Sequence, residues 1–154
     1  MNNYDLQQAL GDFKHALFDC KVVICSMNEL NISKIDGPVF YILNTDMSWG
    51  GGRHWICLYF PKRGPCEFFD SLGCMPNSYY SFFLEKFVLV NRENYLTMNR
   101  RLQRINSSAC GYYVLVFIFG RLLSYTYRDI AKLIDSYNDS DESLISLFRS
   151  FTSV

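Results

Sequence analysis

Histidine is scarce in this sequence, since only His15 and His54 occur among its 154 residues. The chain also has no net charge at pH 7, so bulk electrostatics favours neither a nucleic acid nor an anionic membrane as its partner. Its longest apolar run, 111–120, is too short to cross a bilayer and contains two tyrosines. The first residues show no basic stretch followed by an apolar run, so we expect no secretory signal. These features predict a soluble, intracellular protein without membrane contact.

Metal-binding cysteine patterns are also missing. None of the six cysteines forms a C-x-x-C pair, and none has a histidine at zinc-finger spacing. They are Cys20, Cys25, Cys57, Cys66, Cys74 and Cys110. We expect no metal and no cofactor, and in a reducing compartment most of these residues should be buried free thiols. A disulfide framework is the alternative, and it is disfavoured without a signal peptide.

The pattern of apolar residues predicts an α+β fold. A length of 154 residues suits one compact domain, 1–154, and an aromatic content of 17% predicts a core built from rings. Helical spacing predicts helices at 4–18, 76–90, 111–123, 127–134 and 140–151. Strands are expected at 39–43, 54–60, 66–70 and 94–98, while 21–25 is either a strand or a loop. The strands 54–60 and 66–70 flank a tight turn and should form an antiparallel hairpin.

The segment 111–123 is ambiguous by composition. Its Val, Phe and Ile residues favour a strand. Its length, and the pair Ser107 and Ser108 before it, favour a capped helix that is apolar on all sides and therefore central. We predict the helix. His15 lies beside the apolar stripe of the first helix and should be exposed.

Cys110 stands at the start of this predicted helix. Free backbone N–H groups and the positive end of the helix dipole favour a thiolate there. Gly111, the next residue, would let a substrate backbone come close. The alternative is that Cys110 is one more buried thiol. Its position favours a nucleophile that attacks an acyl group.

His54 and Asp70 are the candidate partners of Cys110. His54 begins one strand of the predicted hairpin and Asp70 ends the other, so both side chains should meet at one sheet edge. His54 would act as the base and Asp70 would orient its ring. The alternatives are a hydrogen-bonded core histidine and an aspartate that starts a turn. Asp46 is a weaker competitor for the orienting role.

Gln103 precedes Cys110 by seven positions. Its side-chain amide, beside the backbone N–H of Cys110, would form an oxyanion hole. A glutamine alone carries little information, but here it is the fourth member of an ordered set of base, orienter, oxyanion donor and nucleophile. Trp55 would either cover the site or face the opposite side of its strand.

The segments 42–45, 51–55, 66–73 and 103–111 together resemble the adenovirus endopeptidase (adenain) family, which is grouped with SUMO-deconjugating and related viral cysteine proteases. The resemblance implies His54 as base, Asp70 as orienter, Cys110 as nucleophile and Gln103 as oxyanion donor. It also implies a central mixed sheet packed by helices, with the cysteine on a core helix. Members of the adenain group usually carry Glu at the position of Asp70, whereas the deconjugating relatives carry Asp.

The resemblance implies a function as well. We expect a viral cysteine endopeptidase that cleaves precursor proteins at glycine-containing sites during virion maturation, in the host cell nucleus or cytoplasm and in the virion. Gly51, Gly52 and Trp55, together with Trp49 and Gly111, would shape a narrow substrate channel. The alternatives are an isopeptidase that releases ubiquitin-like proteins and an inactive protease-fold binding module.

Activation is a further expectation from the resemblance. Adenovirus enzymes are activated by DNA and by a viral peptide that forms a disulfide with the protease. This chain has no cysteine between Cys74 and Cys110, where the linking residue would be expected. Any peptide activator should therefore bind without a covalent bond. A cluster of arginines at 92–104 leaves a weak DNA contact open, although the zero net charge disfavours it.

Overall fold

The structure is a computed structural model that describes residues 1–11, 20–31, 34–45, 54–79 and 83–152, with the side chain of Asn3 excluded. Within these ranges, five strands form one sheet: β1 Lys21–Ser26, β2 Val39–Asn44, β3 Trp55–Phe60, β4 Cys66–Phe69 and β5 Tyr95–Thr97. The strands lie in chain order across the sheet. The outer pairs, β1 with β2 and β4 with β5, are parallel, and the two inner pairs are antiparallel. The expected mixed sheet and the expected hairpin are both present.

Helices cover the sheet on both faces. They are α1 Asn3–Gly11, α2 Phe83–Asn91, α3 Cys110–Leu122, α4 Tyr127–Ser136 and α5 Asp141–Thr152, and two short 3-10 helices lie at Met27–Glu29 and Pro76–Ser78. The predicted α+β class is confirmed. Residues 12–18 of the first predicted helix, including His15, lie outside the described ranges. No helix in the described ranges joins the length and the apolar character that a membrane span requires.

The core consists of two layers, because successive side chains of a strand point to opposite faces. On β3, Trp55 and Cys57 belong to the layer under α3, whereas Ile56 and Leu58 belong to the layer under α2. Both faces are covered, which explains why the strands read as continuous apolar runs. Aromatic rings fill much of both layers, as the composition predicts.

α3 is the central helix, as predicted, and a strand at 111–123 is excluded. Its residues from Tyr113 to Gly120 are all buried. Phe117 stacks on Phe69 with 4.7 Å between ring centroids and meets Tyr127 edge-on at 5.9 Å. Full burial of such a ring contributes about 1.5–3 kcal/mol, so packing rather than helix propensity holds this segment as a helix.

Two local predictions were wrong. The helix expected from Pro76 is a 3-10 turn that stops at Ser78, because Tyr79 is extended with φ −111° and ψ 132°, and α2 is described over Phe83–Asn91. The N-cap of α3 is Ala109, whose side chain forms no capping bond. Ser107, two positions before Ala109, accepts the Ala109 N–H with its Oγ at 3.1 Å.

Candidate active site

His54 lies immediately before β3, where the pairing with β2 continues for one more step. Its carbonyl accepts a hydrogen bond from the Thr45 N–H at 2.9 Å, which fixes the backbone of the residue. The side chain is nearly enclosed, with the residue 9% exposed. The ring therefore sits at the end of a strand whose backbone pairing holds it in place.

Asp70 follows β4 directly and is buried. The hairpin register pairs Cys57 with Phe69, so Asp70 comes to the same sheet edge as His54. Its Oδ1 lies 2.7 Å from His54 Nε2 and also accepts the Leu72 N–H at 2.8 Å. The predicted meeting of these two side chains is present. A carboxylate on Nε2 leaves Nδ1 as the ring nitrogen that faces the opposite way.

Cys110 is the first residue of α3 and forms a side-chain hydrogen bond with His54. Since Asp70 holds Nε2, the nitrogen that faces the sulfur is Nδ1. Burial raises the pKa of the Cys110 thiol, but the hydrogen bond and charge of His54 and the backbone N–H groups of Trp55 and Gly111 outweigh burial and lower that pKa. The sulfur thus meets the conditions that favour a thiolate.

The imidazole of His54 responds in the opposite direction. Burial lowers its pKa, but hydrogen bonds to Asp70 and Cys110, and the charges of both, raise the pKa to about 9. A cysteine with a lowered pKa beside a histidine with a raised pKa favours the thiolate–imidazolium pair near neutral pH. Such a pair is ready to attack an acyl carbon.

The other cysteines differ sharply from Cys110. All six are free thiols, two of them buried and four half-buried, so the expectation that most are buried was wrong. Burial raises the pKa of Cys20 and of Cys25 to about 11. It also raises the pKa values of Cys57 and Cys66 well above the ordinary range. Lowered thiol pKa therefore singles out Cys110 from these four.

Gln103 is buried and held in one orientation by its neighbours. The Ser71 carbonyl accepts both the Leu102 and the Gln103 N–H at 2.8 Å, and the Ser71 hydroxyl donates to Gln103 Oε1 at 2.7 Å. Gln103 Nε2 donates to the Ser107 carbonyl at 2.9 Å. The amide oxygen therefore points to the loop after β4, and the amide nitrogen points to the loop that leads into α3.

Gly73 allows this loop to come close to the chain beside Gln103. Its φ is +78°, and a Cβ at this position would lie 2.5 Å from the Arg100 carbonyl carbon and 2.7 Å from the Arg101 nitrogen. Only glycine fits both conditions. The turn that begins at Asp70 thus brings the orienting carboxylate and the contacts to Gln103 from one short segment.

Sequence reasoning missed two side chains that support this arrangement. The Tyr79 hydroxyl donates to Asp70 Oδ2, and Ser71 holds the Gln103 amide. Ser71 could have been suspected, because it directly follows Asp70 in a short turn. Tyr79 gave no such signal, because it lies nine residues away in a segment that was predicted to be helical.

Of the predicted substrate-binding residues, the structure describes Trp55 and Gly111. Trp55 is buried beside Cys110, and its Nε1–H donates to the Met1 carbonyl at 3.0 Å. The space next to Gly111 is filled by the Met1 side chain, since a Cβ on Gly111 would lie 2.4 Å from the Met1 sulfur. The Met1 side chain therefore occupies the approach at Gly111, and the role of Gly111 in substrate binding stays a prediction. Gly51, Gly52, Trp49 and Asp46 lie outside the described residues.

The arginine cluster noted in the sequence is engaged within the chain. Its members are Arg92, Arg100, Arg101 and Arg104. The first and third donate to backbone carbonyls, the second pairs with Asp135 and the fourth pairs with Asp141. In the part of the chain that the structure describes, no group of three or more His, Cys, Asp or Glu residues is arranged to hold a metal ion.

Comparisons with known proteins find a likeness to viral proteases. No family model matches the chain. The chain is 33% identical over 105 residues to "SUMO-1 cysteine protease S273R" from the Pig/Kenya isolate of African swine fever virus, and equally identical to "Cysteine protease S273R" from the Tick/Malawi isolate. These matches cover 61% of this chain and 38% of each relative. The chain thus matches well under half of the length of these relatives.

A solved structure extends the likeness to nearly the whole chain. The crystal structure of the selenomethionine African swine fever virus pS273R protease superposes with a TM-score of 0.59 at 21% identity, covering 99% of this chain and 66% of that one. This chain has the fold of that protease. The fold expectation, with a mixed sheet and Cys110 at the start of a buried central helix, is confirmed.

Proposed function

We propose that this chain is a cysteine protease whose nucleophile is the Cys110 thiolate. The observation that carries the proposal is the row of Asp70, His54 and Cys110, with 2.7 Å between Asp70 Oδ1 and His54 Nε2 and with the pKa of Cys110 lowered. His54 is the proton carrier, Asp70 orients its ring, and Gln103 is the oxyanion donor. The viral cysteine protease relatives support this choice.

The reaction follows from these groups. The Cys110 sulfur donates an electron pair to the carbonyl carbon of the scissile bond, and the carbonyl oxygen becomes an oxyanion. Gln103 Nε2 has two N–H groups, of which one donates to the Ser107 carbonyl, so the second is left for the oxyanion beside the Cys110 backbone N–H. His54 Nδ1–H gives its proton to the departing amine as the carbon–nitrogen bond breaks. A thioester on Cys110 remains.

Hydrolysis of the thioester restores the enzyme. Neutral His54 takes a proton from water, the hydroxide oxygen attacks the thioester carbon, and the carbon–sulfur bond breaks. The sulfur leaves as a thiolate and His54 is left as imidazolium, so the starting ion pair returns. Asp70 stabilises the imidazolium and keeps its ring oriented in both steps.

For the substrate, we propose viral precursor polypeptides cut at glycine-containing sites, in the infected cell and in the virion. The viral origin of the relatives supports this class. A second candidate is a deconjugating isopeptidase, which is favoured by the name "SUMO-1 cysteine protease" that one relative carries. Asp at position 70, which the deconjugating enzymes share, also favours it. Any peptide activator would bind non-covalently, and a weak DNA contact stays a prediction.

Selective labelling tests the nucleophile. We expect iodoacetamide at pH 7, with each site quantified by mass spectrometry, to modify Cys110 before Cys20 and Cys25. The matched control is Cys25→Ala, which removes a half-buried thiol of raised pKa and should leave the labelling rate of Cys110 unchanged. Equal rates at Cys110 and Cys25 would contradict a thiolate at Cys110.

Activity measurements then separate the candidate functions. A viral endopeptidase should cut precursor-derived peptides with glycine near the scissile bond, and the cutting should vanish in Cys110→Ala. An isopeptidase should instead react with probes that carry the C-terminal tail of a ubiquitin-like protein. Fast labelling of Cys110 without cleavage of either substrate would contradict the protease proposal and favour an inactive protease-fold binding module.

A further inference from the structure

A second cavity lies away from the catalytic residues, between α4, the end of α3 and the edge strand β5. Its volume is about 660 Å³, within the range of pockets that hold small molecules. Four of its lining residues are cationic: Arg100, Arg121, Arg128 and Lys132. Only one carboxylate, Glu67, is among the described residues that line it. The lining residues therefore carry an excess of positive charge in a chain whose net charge is zero.

Arg121, the least exposed of these four cations, already forms an ion pair with Glu67. Its Nε and Nη2 donate to the two oxygens of Glu67 at 2.8 and 2.9 Å, and its guanidinium lies over the Tyr59 ring. Arg100 is paired with Asp135 at 2.5 Å, with both side chains about half exposed. The positive charge that remains comes from residues nearer the opening.

Arg128 and Lys132 supply that remaining charge. They stand four positions apart on α4, so both project from one face of the helix, and like charges at this spacing repel each other. Both are exposed, and neither has a carboxylate partner among the described residues. An anion between them would remove the repulsion.

The walls of the cavity are fixed by core contacts. The Tyr127 hydroxyl donates to the Phe68 carbonyl at 2.6 Å, which anchors the start of α4 on β4. Ile130 on the next turn is fully buried. Because the backbone of α4 is held, a ligand that enters would not need to organise the site first.

We propose that this cavity binds a compact anion with at least one phosphate group, either free polyphosphate or a small phosphate ester. Arg128 and Lys132 carry two positive charges together, and each phosphate monoester carries about −1.5 to −2 charges at pH 7, so a single phosphate group balances most or all of this charge. Guanidinium and ammonium groups are the usual protein partners of phosphate oxygens. The limited volume favours a small ligand over a nucleic acid duplex, and Leu96, Met98 and Ala131 add apolar walls for the body of an ester.

The first experiment measures binding by calorimetry at 0.15 M salt, using inorganic tripolyphosphate and, separately, inositol hexakisphosphate as probes. We expect one site per chain for at least one probe. Arg128→Gln combined with Lys132→Gln should weaken binding at least tenfold. Binding of tripolyphosphate would identify the phosphate groups as sufficient, and binding of the inositol phosphate alone would point to an ester.

Matched controls separate a built site from diffuse charge. Lys86→Gln combined with Arg149→Gln removes the same charge from exposed positions on α2 and α5, outside the cavity, and should bind as the native chain does. Ala131→Met keeps every charge but narrows the cavity and should weaken binding. Circular dichroism melting checks that each variant is folded.

Three outcomes would overturn the proposal. The first is absence of binding by both probes at millimolar concentration. The second is equal weakening in the cavity pair and in the control pair. The third is a duplex oligonucleotide that binds in the native chain and is not displaced by either probe. None of these readouts depends on catalytic activity, so the test stands apart from the proposed protease function.

Discussion

The carboxylate of Asp70 is shared between two side chains: Tyr79 donates its hydroxyl to Oδ2, while His54 binds Oδ1. The Leu72 N–H adds a second hydrogen bond on Oδ1 at 2.8 Å, the third to this carboxylate. A buried carboxylate with three donors has little freedom to rotate. Tyr79 thus helps to fix the plane of the Asp70 carboxylate through the oxygen that His54 does not bind. Among the described residues, Tyr79 shows no hydrogen bond to His54 or to Cys110.

Tyr79→Phe should therefore weaken both the fold and the site. Hydrogen bonds to charged groups contribute about 1.5–3 kcal/mol, so the free energy of unfolding should fall by an amount of that order. We expect kcat to fall with little change in KM, because the ring of His54 loses its fixed orientation. The matched control is Tyr95→Phe, which removes a hydroxyl that donates to Glu85 at 2.9 Å in a half-buried place away from the site. Full kcat in Tyr79→Phe would show that His54 needs no support from this side.

Cys110→Ala should lower the pKa of His54 below about 9. The hydrogen bond and the charge of Cys110 both raise that pKa, whereas Asp70 still raises it in the variant. The imidazole resonances can be followed by NMR as a function of pH, with Cys25→Ala as the control that leaves the pair intact. An unchanged or higher His54 pKa in Cys110→Ala would mean that the two side chains are not coupled.

The rate of catalysis should depend on pH through both members of the pair. Attack needs deprotonated Cys110, and expulsion of the amine needs protonated His54. Activity should therefore be lost as pH falls through the lowered pKa of Cys110 and lost again as pH rises through the His54 pKa of about 9. A profile of kcat/KM against pH checks this. A single rise with no alkaline limb would argue against a proton donor of this kind.

Gly73→Ala should be more harmful than the same change at Gly64. Both glycines have positive φ, +78° and +101°, which costs an alanine about 1–3 kcal/mol. At Gly64 nothing lies within 4 Å of the added Cβ, whereas at Gly73 the backbone of Arg100 lies at 2.5 Å. The free energy of unfolding of each variant can be measured with urea, and the difference between the two losses gives the cost of the steric clash apart from the cost of positive φ. Equal losses of stability would show that the loop after Asp70 can move away freely.

Gln103→Ala should lower kcat while KM changes little. The amide is proposed to bind a charge that exists only in the transition state, and loss of one such donor costs on the order of 10²–10³ in kcat. Ser71→Ala should give a smaller loss, because it only orients the amide oxygen of Gln103. Steady-state kinetics of both variants would decide, and a change restricted to KM would assign Gln103 to substrate binding instead.

Local patterns in the sequence were sufficient for much of the fold. Two apolar segments on either side of a short turn between 60 and 66 predict the central hairpin, and the pairing of Cys57 with Phe69 is what brings Asp70 to His54. The apolar run after Cys110 likewise predicts a buried helix, because it is too long for one strand. For this hairpin and this helix, the prediction from nearby residues held.

Contacts between distant loops were beyond such patterns. Ser71 and Gln103 are 32 positions apart in the sequence. Tyr79, which donates to Asp70, has an extended backbone in a segment where helical spacing predicted a helix. Neither propensity nor periodicity carries information on which loop touches which. The Met1 contact with Trp55 spans 54 positions and was missed for the same reason.

The burial of Cys57 between β3 and α3 has a practical consequence. Complete unfolding would return every thiol to an ordinary pKa near 8.5 and to full solvent contact. Cys57, the most protected sulfur in the native chain, would then react as fast as Cys110, whose advantage disappears together with His54. The ratio of modification at these two sulfurs is consequently an internal gauge of the folded fraction, readable by mass spectrometry from a single sample without a dye or an engineered probe.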